Sequence, residues 1–332
     1  MTTMSNNEQR LTPESRNPTL YHYRALKRPE IRRIGTIACD IVETTPVVFR
    51  GTLYRFEYIR AGHQNEANPS SDSYFHFVNV RTNECTPPFA TNYHFGAAYV
   101  DDEVMYVTGI ISGKDPGEAW GGNVVQVFRS SDLMEWETYS CIELPEDMGA
   151  YNTGICKNNS VYTMLIEVNR PIKFRFRFAQ STDMKHWELL PEAYRFHEEP
   201  RYAGGPAIYT LPDDPYYYVT YLEAYPGPAY ATCIARSKDL KNWTYSPLNP
   251  ILMFDEKEDK KIANPFLTEH EQSRIERAMD YNNSDLELCE FNGRTILYYS
   301  WGCQMGIEFL AEAAYEGSMK DFLQGFFEQE AQ

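Results

Sequence analysis

The stretch NNSDLELCEFNGR, beginning at residue 282, sets Asp285 and Glu287 two positions apart among strand-forming residues. Side chains on a strand repeat their facing every two residues, so both carboxylates share one face. Two carboxyl groups held together can divide the work of acid and base, one giving a proton while the other takes one. Glu43, in DIVETTPVV, stands just ahead of a strand, and Glu57, Glu167 and Glu223 each follow apolar or aromatic residues in LYRFEYI, YTMLIEV and VTYLEAY. A carboxylate after such a run is costly unless it is paired or functional. The structural reading of these glutamates is pairing with Arg60, Arg170 or Arg201; for Asp285 it is an Asx turn or a strand cap. His94, in TNYHFGAAYV, can donate to a hydroxyl or serve as an acid.

The elements that must position these groups repeat along the chain. RSSDLMEWETYS, QSTDMKHWELLP and RSKDLKNWTYSP all fit S-x-D-[LM]-x-x-W, and their tryptophans, Trp136, Trp187 and Trp243, recur at close to the period of propeller blades. Each motif follows a β-branched or aromatic run, NVVQVFRS, FRFRFAQS or YATCIARS, which reads as a strand. A second pattern, strand, tight turn, Tyr-rich strand, occurs five times, at 46–59, 96–110, 153–167, 206–223 and 286–302. Five such units describe an all-β, five-bladed propeller of four-stranded antiparallel blades. In each motif the Ser and Asp are expected to bond turn backbone, and the Trp to fill the gap between blades.

Residues 1–34 read as an N-terminal arm and 35–332 as one propeller domain. TEHEQSRIERAMD, from residue 268, reads as a short helix whose Thr268 and Glu271 form a capping box. The chain end, GSMKDFLQGFFEQEAQ, is expected to cover the closure of the ring.

Composition narrows the function. With 42% hydrophobic residues the chain can build a large core, and a formal net charge of -16 argues against a nucleic-acid partner. No apolar run approaches the roughly 20 residues of a membrane-spanning helix, so no membrane partner is expected. The first 18 residues are polar and lack the apolar core of a secretory signal, which reads as cytoplasmic. The seven cysteines form no C-x-x-C pair and are expected to be free thiols; neither H-E-x-x-H nor an EF-hand pattern occurs, so no metal ligand is assigned.

The S-x-D-[LM]-x-x-W turn in a five-bladed propeller resembles the glycoside hydrolases of family 43 and their relatives in families 32, 117 and 130, over roughly residues 35–332. That resemblance implies three carboxylates near the starts of inner strands. The matching positions here are Thr45, Asn152 and Gly204, none able to exchange a proton. It also permits an axial calcium, and implies that a histidine in the place of His94 can take the acid role, as in the family 117 relatives.

The expectation is therefore an exo-acting glycosidase inside the cell, inverting, on a small carbohydrate substrate, with no cofactor required. Its catalytic groups come from Asp285, Glu223, His94, Glu43 and Glu167. Its substrate contacts come from Glu287, Asn152, Arg201, Trp301, Gln304 and Trp120, the two tryptophans as flat platforms for a sugar ring. A family 130 type phosphorylase and a non-catalytic sugar-binding propeller are the alternatives.

Overall fold

Each of the five strand-turn-strand units folds as the inner hairpin of one blade. The structure, a computed structural model, describes residues 28–60, 72–111, 122–169, 175–196, 202–225, 229–279, 282–303 and 307–327. A first strand, β1 (Arg32–Cys39), precedes the hairpins. Blade one holds β2 (Pro46–Phe49), β3 (Thr52–Ile59) and β4 (Tyr74–Asn79); blade two holds β5 (Tyr93–Asp101), β6 (Val104–Ile111), β7 (Val124–Ser130) and β8 (Glu137–Glu143). Blade three holds β9 (Ala150–Asn158), β10 (Val161–Val168), β11 (Arg175–Ser181), β12 (Glu188–Leu189) and β13 (Arg195–Phe196). Blade four holds β14 (Ala203–Thr210), β15 (Tyr217–Ala224), β16 (Tyr230–Ser237) and β17 (Trp243–Tyr245). Blade five holds β18 (Asn282–Phe291), β19 (Arg294–Gly302) and β20 (Glu308–Tyr315). Three helices complete the described chain: α1 (Glu256–Asp259), α2 (Glu269–Arg277) and α3 (Met319–Gln324).

Tight turns set the hairpin registers. Arg50-Gly51 (φ 49 and 76), Asp102-Glu103 (φ 46 and 59) and Asn292-Gly293 (φ 52 and 77) all have two consecutive left-handed residues, the turn whose twist matches paired strands. Outer strands are less regular. In blade one the fourth strand shrinks to two bridges, Val78 with Cys85 and Phe75 with Phe89, because Pro87 and Pro88 between them have no N–H to donate to a ladder.

The fifth blade is closed from the other end of the chain. β1 pairs antiparallel with β20, Arg32 opposite Ala314, and supplies the missing fourth strand. β1 begins three residues inside the stretch read as an arm. The chain-terminal helix α3 does not pair with any strand; Phe322 and Leu323 of α3, and Phe326 and Phe327 beyond it, pack into the apolar layer of blades four and five. α2 carries the expected capping box at Thr268 and Glu271.

Five apolar clusters, one between each pair of neighbouring blades, form the core. The repeated motif serves this packing. Ser130 Oγ accepts from the amides of Asp132 and Leu133 at 3.2 and 2.9 Å, while Asp132 Oδ1 accepts from Met134 and Glu135, both at 2.9 Å. Asp183 and Asp239 repeat the pattern. The residue after each Asp, Leu133, Met184 or Leu240, is left-handed (φ 64, 61 and 60) and buried. Trp136 stacks on Phe89 of blade one at 3.8 Å, and Trp243 meets Phe196 of blade three at 4.8 Å, its indole N–H donating to Arg195 O at 3.0 Å.

Candidate active site

The inner strands β2, β5, β9, β14 and β18 surround the axis, and four of them carry a bulge near their first residues, in β9 between Ala150 and Thr153. Register shifts lie between His94 and Ala97, Gly204 and Ala207, and Ser284 and Glu287. In β5, β14 and β18 the kink holds a left-handed residue, Phe95 (φ 53), Gly205 (φ 51) or Asp285 (φ 51). Bulges re-aim side chains, and a left-handed non-glycine costs about 1 kcal/mol or more, a cost that clusters at functional positions. Asp285 is thus neither an Asx turn nor a strand cap.

The bulge at Asp285 turns its carboxylate onto the Gly204–Gly205 backbone. A Cβ on Gly205 would lie 2.3 Å from Asp285 Oδ1, and one on Gly204 would lie 2.9 Å from Glu167 Oε1. The amide of Gly205 donates to Glu167 Oε2 at 3.0 Å, as does Asn152 Nδ2 at 3.0 Å. Glycine at 204 and 205 therefore leaves room for two carboxyl groups brought in from blades three and five. Amide nitrogen and Cβ of one residue are about 2.5 Å apart, so an oxygen of Asp285 and one of Glu167 stand within roughly 8 Å of each other.

Glu43, Asn152, Gly205, Pro206, Asp285 and Glu287 line a small cavity of about 10 Å³, room for one water. Burial pushes Glu167 up to about 8, against the hydrogen bonds from Asn152 and Gly205. Burial, with negative Asp285 and Glu43 nearby, holds Glu287 at about 8 as well. Asp285 rises to about 7, through burial and then Glu43, although Ser284 Oγ donates to its Oδ2 at 2.5 Å. Glu43 bonds Arg60 Nη2 at 3.2 Å, and Arg60 Nη1 bonds Glu308 at 2.7 Å. Glu43 and Glu308 share the Arg60 guanidinium, and burial keeps protons on Glu167, Glu287 and Asp285 toward neutrality.

Of the residues singled out by sequence, Glu43, Asn152, Glu167, Asp285 and Glu287 gather here. His94 lies close enough to Glu43 and Arg60 to be influenced by both, its Nδ1 hydrogen-bonded to Tyr58 Oη at 2.5 Å and its basicity lowered by burial. Asn152 holds Glu167. Two expectations are corrected. Trp301 is 1% exposed, stacked on Phe309 at 4.5 Å and donating to Thr36 Oγ1 at 2.8 Å; it packs at the closure of blade five and offers no platform. Glu223 pairs in a regular ladder with Ala203 and Ala231, its Oε2 accepts from Cys233 Sγ at 3.6 Å, and it is not among the residues lining the small cavity. Glu167 differs because it lies in a register shift between Ile166 and Val168. Glu57 pairs with Arg55 and His76; of the arginines expected for it, Arg60 pairs with Glu43 and Glu308, and Arg170 and Arg201 lie outside the described residues. Trp120, Arg201 and Gln304 lie outside the described residues.

Sequence reasoning missed Tyr202, whose Oη would lie 2.9 Å from a Cβ on Gly204 and whose phenol is raised by burial beside Glu167 and Asp285. Its place directly before AGGPAIY, the inner-strand start already in view, was the available signal. Among the described residues no group of three or more His, Cys, Asp and Glu side chains is placed to hold a metal ion.

No family model and no curated protein matches the sequence. Solved structures do match in fold. A glycoside hydrolase aligns with a TM-score of 0.57 at 13% identity, over 97% of this chain and 98% of that one. An α-L-arabinofuranosidase from Podospora anserina, in complex with cellotriose, aligns with a TM-score of 0.57 at 7% identity, over 86% of this chain and 92% of its own. The family 32 β-fructofuranosidase of Bombyx mori aligns with a TM-score of 0.54 at 11% identity, over 90% of this chain and 66% of its own. The fold is that of the propeller glycoside hydrolases.

Proposed function

We propose that this propeller hydrolyses a glycosidic bond of a small carbohydrate, using axial carboxyl groups drawn from strands other than those that supply them in family 43. The observation that carries the reading is the pair Glu167 and Asp285, set within roughly 8 Å on either side of the Gly204–Gly205 backbone. Glu167, held up to about 8, keeps its proton at neutral pH and acts as the acid. Asp285, at about 7, is matched to act as base in the same range. Glu167 protonates the glycosidic oxygen as the bond from the anomeric carbon to that oxygen breaks. A water attacks the anomeric carbon from the opposite face and yields its proton to Asp285, which inverts the anomeric centre. Glu43, paired with Arg60, borders the same small cavity.

Nitrophenyl glycosides and natural disaccharides, with product anomers followed by NMR, form the test. Hydrolysis with inverted product supports the reading. Product formed only when phosphate is added favours the phosphorylase, and sugar binding without turnover favours a non-catalytic propeller; either overturns it.

A further inference from the structure

The axis holds a second and larger space. On the side of the carboxylate cluster where the inner hairpins turn, a void of about 980 Å³ runs between the inner strands and ends at Asn158, Asn159 and Asp213, residues at or beside the inner-hairpin turns of blades three and four. Val48, Ala98, Val100, Ile155 and Cys289 are among its lining residues, and Glu287 and Thr45 lie at its inner end. Burial pushes the Cys289 thiol up to about 12, so this wall stays uncharged. Lys157, at the outer end, is joined to Asp101 at 2.7 Å.

We infer that this channel is a second small-molecule site, taking an uncharged ligand with an apolar body and one hydrogen-bond acceptor that meets the carboxyl of Glu287. The volume falls within the range of small-molecule pockets, and apolar side chains with polar groups set among them, Thr45 and Glu287 at the inner end and Tyr209, Thr210 and Lys157 elsewhere along the lining, are how such pockets fix orientation. Small and β-branched side chains, Ala98, Val48 and Val100, keep the strands from filling the axis as larger residues would. Glu287 also borders the small cavity beside Asp285, so the two spaces share one wall. The inference concerns binding alone and stands whether or not the chain hydrolyses sugars.

Prodan, an uncharged naphthalene carrying one ketone, is a suitable probe. Titrated into the intact protein it should bind saturably with blue-shifted emission. Val100→Trp and Ala98→Phe, on the same strand but of different bulk, should each weaken binding by about tenfold or more while leaving the melting temperature near wild type. Glu287→Leu removes the donor and should weaken binding, whereas Glu287→Gln keeps an N–H donor and should retain it. No saturable binding to wild type, or binding unchanged in whichever channel-filling variant folds, would overturn the inference.

Discussion

Gly205 occupies a position where any side chain would collide with Asp285: its Cβ would lie 2.3 Å from Oδ1, in a backbone already at φ +51. A left-handed alanine alone costs about 1 to 2 kcal/mol, and the collision must be relieved by moving Asp285. Gly205→Ala is therefore expected to lower the melting temperature modestly and turnover by far more. A variant with wild-type turnover on the true substrate would show that Asp285 does not need its present place.

The pH profile tests the assigned roles. Turnover requires Asp285 without its proton and Glu167 with one, so the rate should rise through about 7 and fall above about 8, the two limbs belonging to the coupled cluster. Asp285→Asn should keep the fold and reduce turnover by roughly 10² to 10⁴. In Glu167→Gln the residual activity should lose its alkaline limb. Persistence of that limb would move the acid to another group, His94 or Glu287 among them.

Stability should carry the opposite imprint of the same groups. Glu167, Glu287 and Asp285 hold protons when folded up to about 8, 8 and 7, while the unfolded chain releases them near 4.5, 4.5 and 3.8. Between those limits the folded state binds more protons, so stability falls as pH rises from about 4 to about 8. Glu57 works the other way. Although burial opposes ionisation, Arg55 and His76 hold it at about 2, and its contribution is lost as pH falls below 4.5. Melting temperature measured across this range should therefore peak on the acidic side of neutrality. Glu287→Gln should flatten the decline above the peak; a decline of unchanged slope would refute the assignment.

The repeated motif predicts a stability effect without a chemical one. Trp243 is half-buried between blades three and four, against Phe178 and Phe196. Trp243→Ala should cost about 2 to 4 kcal/mol, measured by denaturant unfolding, and leave turnover of the folded fraction intact. Loss of activity at unchanged stability would give the repeat a role in the site.

What could be read from the sequence was local. The S-x-D-[LM]-x-x-W turn and the inner hairpins reveal themselves because their partners lie a few residues apart, and α2 because its capping box is contiguous. β1 has no such signature: RRIGTIAC is a strand only because β20 accepts it. At the site, Asp285 and Glu287 were legible from strand alternation. Glu167 and Glu223 follow apolar runs of the same kind, and a register shift that no local pattern announces separates one fate from the other. Thr45, Asn152 and Gly204 read as losses. In three dimensions Gly204 and Gly205 are the space that Glu167 and Asp285 occupy.

The closure of blade five has a consequence for how the chain is born. β1 leaves the ribosome well before the strand that completes it, because residue 32 pairs with residue 314. At ordinary rates of synthesis the wait is on the order of tens of seconds. Through that interval β1 is an unpaired edge beside growing blades, open to misregistered pairing with any of them or with a neighbouring nascent chain. Blades one to four can form hairpin by hairpin as they emerge, but the ring cannot lock until β20 has been made. The slow, aggregation-exposed step of maturation is therefore the last contact, between the two ends of the fold.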